Sequence, residues 1–101
     1  MVDMKLEEIK RILQEHREEL REKYRVKEIG IFGSYVRGEQ RRKSDLDVLV
    51  EFEPDAGIDL ISFVELEDYL SRLLGIKVDL VMKSALKPRI GERVLREVVY
   101  I

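Results

Sequence analysis

Two stretches of this sequence alternate with a period of two, and in both the two faces differ in kind. In "DLDVLVEF", residues 45–52, Leu46, Val48, Val50 and Phe52 fall on one face and Asp45, Asp47 and Leu49 on the other. In "IKVDLVM", residues 76–82, Ile76, Val78, Leu80 and Met82 face one way and Lys77, Asp79 and Val81 the other. Each reads as a β-strand with one wholly apolar face, and such a strand belongs in a sheet packed on a core. A third apolar stretch, "VKEIGIFGS", puts Ile29 and Ile31 on one face and Phe32 on the other, and ends at Gly33.

Between the strands the apolar spacing becomes helical. Leu6, Ile9, Leu13, His16 and Leu20 predict an amphipathic helix over residues 3–23. His16 sits on its apolar seam and reads as a partly buried packing residue, because the chain has no second histidine to make a metal pair. Phe63, Leu66, Leu70 and Leu73 predict a second helix with Gly75 as its C-cap. Ile90, Val94, Leu95 and Val98 predict a last one, with Pro88 in its first turn. The expected fold is a small mixed sheet flanked by helices, in the α/β or α+β class, built as one domain over residues 1–101.

Composition narrows the function classes. With 19 basic against 21 acidic residues the net charge is −2, so no global positive field favours a long nucleic acid. Cysteine is absent, which removes disulfides, thiolate metal sites and cysteine nucleophiles. The N-terminal "MVDMKLEEIKRIL" mixes acids and bases without an apolar signal core, so a cytoplasmic protein is expected. The absence of asparagine, beside dense Glu, Lys and Arg, is a tendency of proteins that work at high temperature.

The chemistry concentrates in "IFGSYVRGEQRRKSDLDVLVEF", residues 31–52. A small-residue turn leaving a strand exposes backbone N–H groups, so Gly33 would let a phosphate approach and the Ser34 hydroxyl could donate to it. In most proteins such a turn is only a turn, and the glycine and lysine spacing of a Walker loop is missing. Asp45 and Asp47, two apart on a strand, project their carboxylates to one side, where a cation relieves their repulsion. Oxygen ligands without histidine or cysteine point to Mg²⁺ or Mn²⁺. Asp79 occupies the corresponding face of the neighbouring strand, although a solvent-facing position would explain it nearly as well. Three carboxylates around two ions about 3.5–4 Å apart would suit in-line displacement at phosphorus. Arg37, Arg41, Arg42 and Lys43 form a cationic patch of which at least two members are expected to be solvated. Tyr35 is expected to pack beneath the turn.

The combination of Gly33-Ser34, ten residues, Asp45-Leu46-Asp47 and a later Asp79 resembles the polymerase-β-like nucleotidyltransferase superfamily. The stretch "GSYVRGEQRRKSDLDVLVEF" is similar to its minimal nucleotidyltransferase branch, and the resemblance covers nearly the whole chain. It implies that Gly33 and Ser34, with Arg37 and Ser44, contact the nucleotide. It further implies that Asp45 and Asp47 ligate Mg²⁺, and that Asp79 completes the metal site or assists deprotonation of the acceptor. The implied reaction moves AMP from ATP to a hydroxyl and releases pyrophosphate. The implied partner is a HEPN-domain toxin, modified on a tyrosine, with this chain as antitoxin of a type VII toxin–antitoxin system. Two other functions remain open at this level: an antitoxin that masks its toxin without catalysis, and a transferase acting on a small-molecule hydroxyl. Association with further copies of the chain is also open.

Overall fold

A computed structural model describes residues 5–41 and 43–101. Helices α1 (Leu6–Glu15) and α2 (Arg17–Tyr24) lead into strand β1 (Val26–Phe32), and a single helical turn, α3 (Ser34–Arg37), leaves it. Strand β2 (Leu46–Phe52), helix α4 (Leu60–Leu74) and strand β3 (Val78–Met82) follow. A 3-10 turn (Lys83–Ala85), helix α5 (Pro88–Glu97) and a short strand β4 (Val99–Tyr100) complete the order. Among the described residues no helix is long and apolar enough to cross a membrane.

The strands pair in the order β3-β2-β1-β4 among the described residues. β1 runs antiparallel to both β2 and β4, whereas β2 and β3, joined through α4, are parallel. The fold is thus the mixed sheet flanked by helices that the alternation pattern predicts. Leu46, Val48, Val50, Val78 and Leu80 are buried together with Ile29 and Ile31, under Ile9, Leu13 and Leu20 of the first helices and Leu66, Leu70 and Leu74 of α4. One face of the sheet therefore carries the main core. On the other face Gly30 pairs with Leu49. A Cβ on Gly30 would stand 2.6 Å from Val98 Cγ2, so this glycine makes room for the Val98 side chain where the chain enters β4 beside β1.

One expectation is corrected, and the two later helices form as expected with their own buried seams. The helix expected over residues 3–23 is interrupted at His16, whose backbone leaves the helical region at φ −105° and ψ 13°; residues 3 and 4 lie outside the described residues. The His16 N–H reaches both the Ile12 and Leu13 carbonyls at 3.2 Å, and its ring Nδ1–H donates to the Ile12 carbonyl at 2.8 Å. The half-buried ring thus spends its donor on the helix itself, consistent with packing. On α5, Val94 is buried, but Ile90 and Leu95 are 57% and 45% exposed. The inner face of α5 runs through Gly91 and Val94, and Ile90 and Leu95 lie outside it. On α4 the buried seam is Leu66, Leu70 and Leu74, with Phe63 and Leu73 only half-buried.

The caps follow expectation. Gly75 closes α4 at φ 68°, and Pro88 takes the first turn of α5. At the start of α4 the Asp59 carboxylate accepts the Ser62 N–H at 2.8 Å. The Ser62 backbone N–H, and then the Ser62 side chain, hold the Asp59 carboxyl below its ordinary 3.8. A carboxyl lowered on folding stabilises fully above its unfolded value and loses that contribution as the pH falls through the folded one. Asp59→Ala should therefore melt a few degrees below wild type at neutral pH, and the two should converge in strong acid, as thermal scans at both pH values would read.

Candidate active site

The antiparallel pairing of β1 and β2 sets Phe32 opposite Asp47, and the parallel pairing of β2 and β3 sets Asp47 opposite Asp79. The turn that leaves β1 and the acids that open β2 and β3 consequently meet at one end of the sheet. Gly33 lies in that turn at φ 84° and ψ −151°, a conformation essentially confined to glycine. A Cβ there would collide with Asp47 Oδ2 and sit 3.1 Å from Asp47 Cγ. The backbone angles favour glycine at this position, and the Asp47 carboxylate would have to shift to admit any side chain.

The turn is braced from within. The Val36 and Arg37 N–H groups return to the Gly33 carbonyl at 3.1 and 3.2 Å, and Gly38 ends α3 at φ 71°. Tyr35 is buried beneath, and its hydroxyl donates to the Ser44 carbonyl at 3.4 Å, linking the turn to the loop that enters β2. Ser34 opens α3 half-buried. Ser44 has a local role: its Oγ accepts the Arg41 N–H at 2.7 Å and its own N–H returns to the Arg41 carbonyl at 3.0 Å. Arg41 and Lys43 are exposed, as expected of a solvated loop, and Arg42 lies outside the described residues.

Asp47 is half-buried, whereas Asp45 and Asp79 are exposed. Burial pushes the Asp47 carboxyl above its ordinary 3.8, and the charges of Asp79, Asp45 and Glu97 push it the same way against the opposing pull of Arg37. Such mutual repulsion around a half-buried carboxylate is what a divalent cation would relieve, and an all-oxygen donor set suits Mg²⁺. Among the described residues no three acidic or histidine side chains stand close enough to enclose an ion, so the acids share a face without forming a closed cage.

The residue that sequence reasoning missed is Glu97, the last of α5. Its carboxylate accepts the Gly33 N–H at 2.6 Å and two bonds from Arg37 Nη1, at 2.9 and 3.1 Å. Arg37 also donates through Nε to Glu39 at 2.7 Å. Burial alone would raise the Glu97 carboxyl, but the Gly33 N–H and Arg37, with the charge of Arg93, bring it below its ordinary value. Gly33, Arg37, Asp47 and Glu97 line a cavity of about 280 Å³ together with Phe32, Ile90, Arg93 and Val94. A larger groove of about 610 Å³ lies toward the far end of β2, and Asp45, Asp47 and Asp79 are not among its walls.

Comparison with known proteins agrees with this geometry. Residues 13–101 match the nucleotidyltransferase domain family. Over 101 residues, the whole of both chains, the protein is 57% identical to the protein adenylyltransferase MntA of Thermococcus cleftensis. It is 55% identical over 97 residues to a candidate protein adenylyltransferase of Methanocaldococcus jannaschii, covering 95% of this chain and 97% of the relative. A solved structure described as a candidate minimal nucleotidyltransferase superposes with a TM-score of 0.78 at 39% identity, covering 98% of each chain. A toxin–antitoxin crystal structure with AMP-PNP superposes with a TM-score of 0.70 at 27% identity, covering 91% of this chain and 70% of that one. A glycine turn set against in-register acids, on a sheet shared with these relatives, is the frame of a nucleotidyl-transferring enzyme, and the chain belongs to the nucleotidyltransferase domain family.

Proposed function

We propose that this protein transfers AMP from ATP to a protein hydroxyl, a tyrosine of a cognate HEPN toxin, and thereby acts as its antitoxin. The observation that carries the reading is the juxtaposition of the Gly33 N–H and Arg37 with Asp47 and Asp79 at one end of the sheet. The 57% identity to a named protein adenylyltransferase supports a protein as acceptor, and the likeness to a toxin–antitoxin crystallised with AMP-PNP supports ATP and a toxin partner. We take residues 1–101 as one catalytic unit, acting in the cytoplasm.

In this reading the Gly33 N–H and Arg37 receive oxygens of the triphosphate, the first as a fixed backbone donor and the second as a planar fork. Ser34 lies beside them. Asp47, Asp79 and Asp45 would hold Mg²⁺, which when bound neutralises charge on the leaving pyrophosphate and favours the attacking oxyanion. The acceptor oxygen forms a bond to the α-phosphorus as the bond to the pyrophosphate oxygen breaks, and Asp79, which is exposed, would either complete the metal site or take the hydroxyl proton.

Incubation of the protein with a HEPN-domain toxin and ATP labelled at the α-phosphate should label the toxin, and ATP labelled at the γ-phosphate should not. Absence of α-label transfer by wild type rejects the reading. Full neutralisation of the toxin by the Asp45→Ala, Asp47→Ala double variant would establish the masking antitoxin instead.

A further inference from the structure

We propose that Glu97 is a tethered competitor for the phosphate cradle: its carboxylate occupies the place of a phosphate between the Gly33 N–H and Arg37, and an arriving polyphosphate displaces it. This rests on the reading of Gly33 and Arg37 as phosphate donors and adds a gate to that site.

The donor set is the first argument. A backbone N–H at 2.6 Å and a guanidinium N–H at 2.9 and 3.1 Å are the contacts an anionic oxygen pair seeks, and here a side chain 64 residues away in sequence fills them. The second argument is where Glu97 can go. Arg93 stands one turn earlier on α5, at the i−4 position, lines the same cavity and already acts on the Glu97 charge. Among the described residues Arg93 makes no hydrogen bond or salt bridge of its own. Glutamate and arginine four apart on a helix are surface neighbours, so a rotation of the Glu97 side chain exchanges one cationic partner for another without unfolding α5. The third argument is the position of Glu97 at the last residue of α5, separated only by Val98 from β4, which pairs with β1. β4 fixes the backbone there and leaves the side chain as the moving part.

The consequence is selectivity. One tethered carboxylate excludes single weak anions from the cradle, and a ligand with several linked phosphates has enough contacts to expel it. A site closed about nine times in ten lowers the apparent affinity about tenfold, and removing the competitor restores it.

Titration calorimetry of the full-length protein with inorganic tripolyphosphate tests this, in EDTA and again with Mg²⁺. Glu97→Ala and the isosteric Glu97→Gln are each expected to bind about tenfold more tightly than wild type, with the gain persisting in EDTA. Thermal melts confirm folding, and the glutamine variant decides should the alanine variant unfold. Equal or weaker binding by the variants overturns the proposal and makes Glu97 a buttress for Arg37, while leaving the nucleotide site standing. Absence of tripolyphosphate binding by every form, even with Mg²⁺, overturns both this proposal and the nucleotide site on which it rests.

Discussion

Asp47→Asn is expected to remove nucleotidyl transfer and, at the same time, to raise the melting midpoint. The two effects share one cause. Asp47 is half-buried at the end of β2, with Asp79 opposite it and the charges of Asp45 and Glu97 nearby. Burial and those like charges raise its carboxyl above the ordinary 3.8, so the folded state holds the Asp47 proton more tightly than the unfolded chain does. Stability then falls as the pH rises from 3.8 through the raised value, and the full penalty is present at neutral pH. Asparagine keeps the shape without the charge, so the variant should melt a few degrees above wild type at neutral pH, with the difference closing in acid. The lost carboxylate should cost several kcal/mol of transition-state stabilisation, about a thousandfold in rate. Mg²⁺ gives a further readout: ligand binding raises the stability of the form that binds, so added Mg²⁺ should lift the wild-type midpoint and leave the variant's nearly unchanged. A variant that melts below wild type, or transfers AMP at the wild-type rate, would contradict the role given to Asp47.

How much of this site could be read in the sequence depended on whether a residue belonged to a periodic element. Asp47 and Asp79 were legible because both interrupt an apolar strand on its second face, although nothing in either strand specifies the parallel register that sets them opposite each other. Gly33 was legible as a turn, but its conflict with Asp47 is a contact between strands that only the fold creates. β4 has two residues, too few to show a period, and Glu97 resembles any solvated acid at the end of a charged helix. A sign of both was nevertheless present in Gly30, which interrupts β1 where a side chain would otherwise stand. Glycine inside a strand marks a close approach, and here the approaching residue is Val98, adjacent to Glu97. The break at His16 had no such sign, since an imidazole returning to the Ile12 carbonyl looks in sequence like one more seam residue.

Register also explains why the turn and the acids depend on each other. β1 carries Gly33 to the site, β2 carries Asp47, and their antiparallel pairing places the backbone of one against the side chain of the other. A substitution on either side is therefore felt by both the turn and the acids.

Gly33→Ala measures that dependence. Alanine at φ 84° and ψ −151° pays backbone strain of about 1–3 kcal/mol, and its Cβ would overlap Asp47 Oδ2, adding about 1–3 kcal/mol of overpacking. A combined loss of about 3 kcal/mol corresponds to a fall in melting midpoint of roughly 15 °C for a domain of this size. Transfer should fall as well, because relief of the overlap moves either the Gly33 N–H or the Asp47 carboxylate. The double variant Gly33→Ala, Asp47→Gly separates the two contributions. Removing the Asp47 side chain relieves the overlap and leaves the strain, so the loss in the double variant should be smaller than the sum of the two single losses by about 1 kcal/mol or more. Strict additivity would mean that Asp47 does not press on the turn, and a wild-type midpoint for Gly33→Ala would mean that the turn does not require glycine.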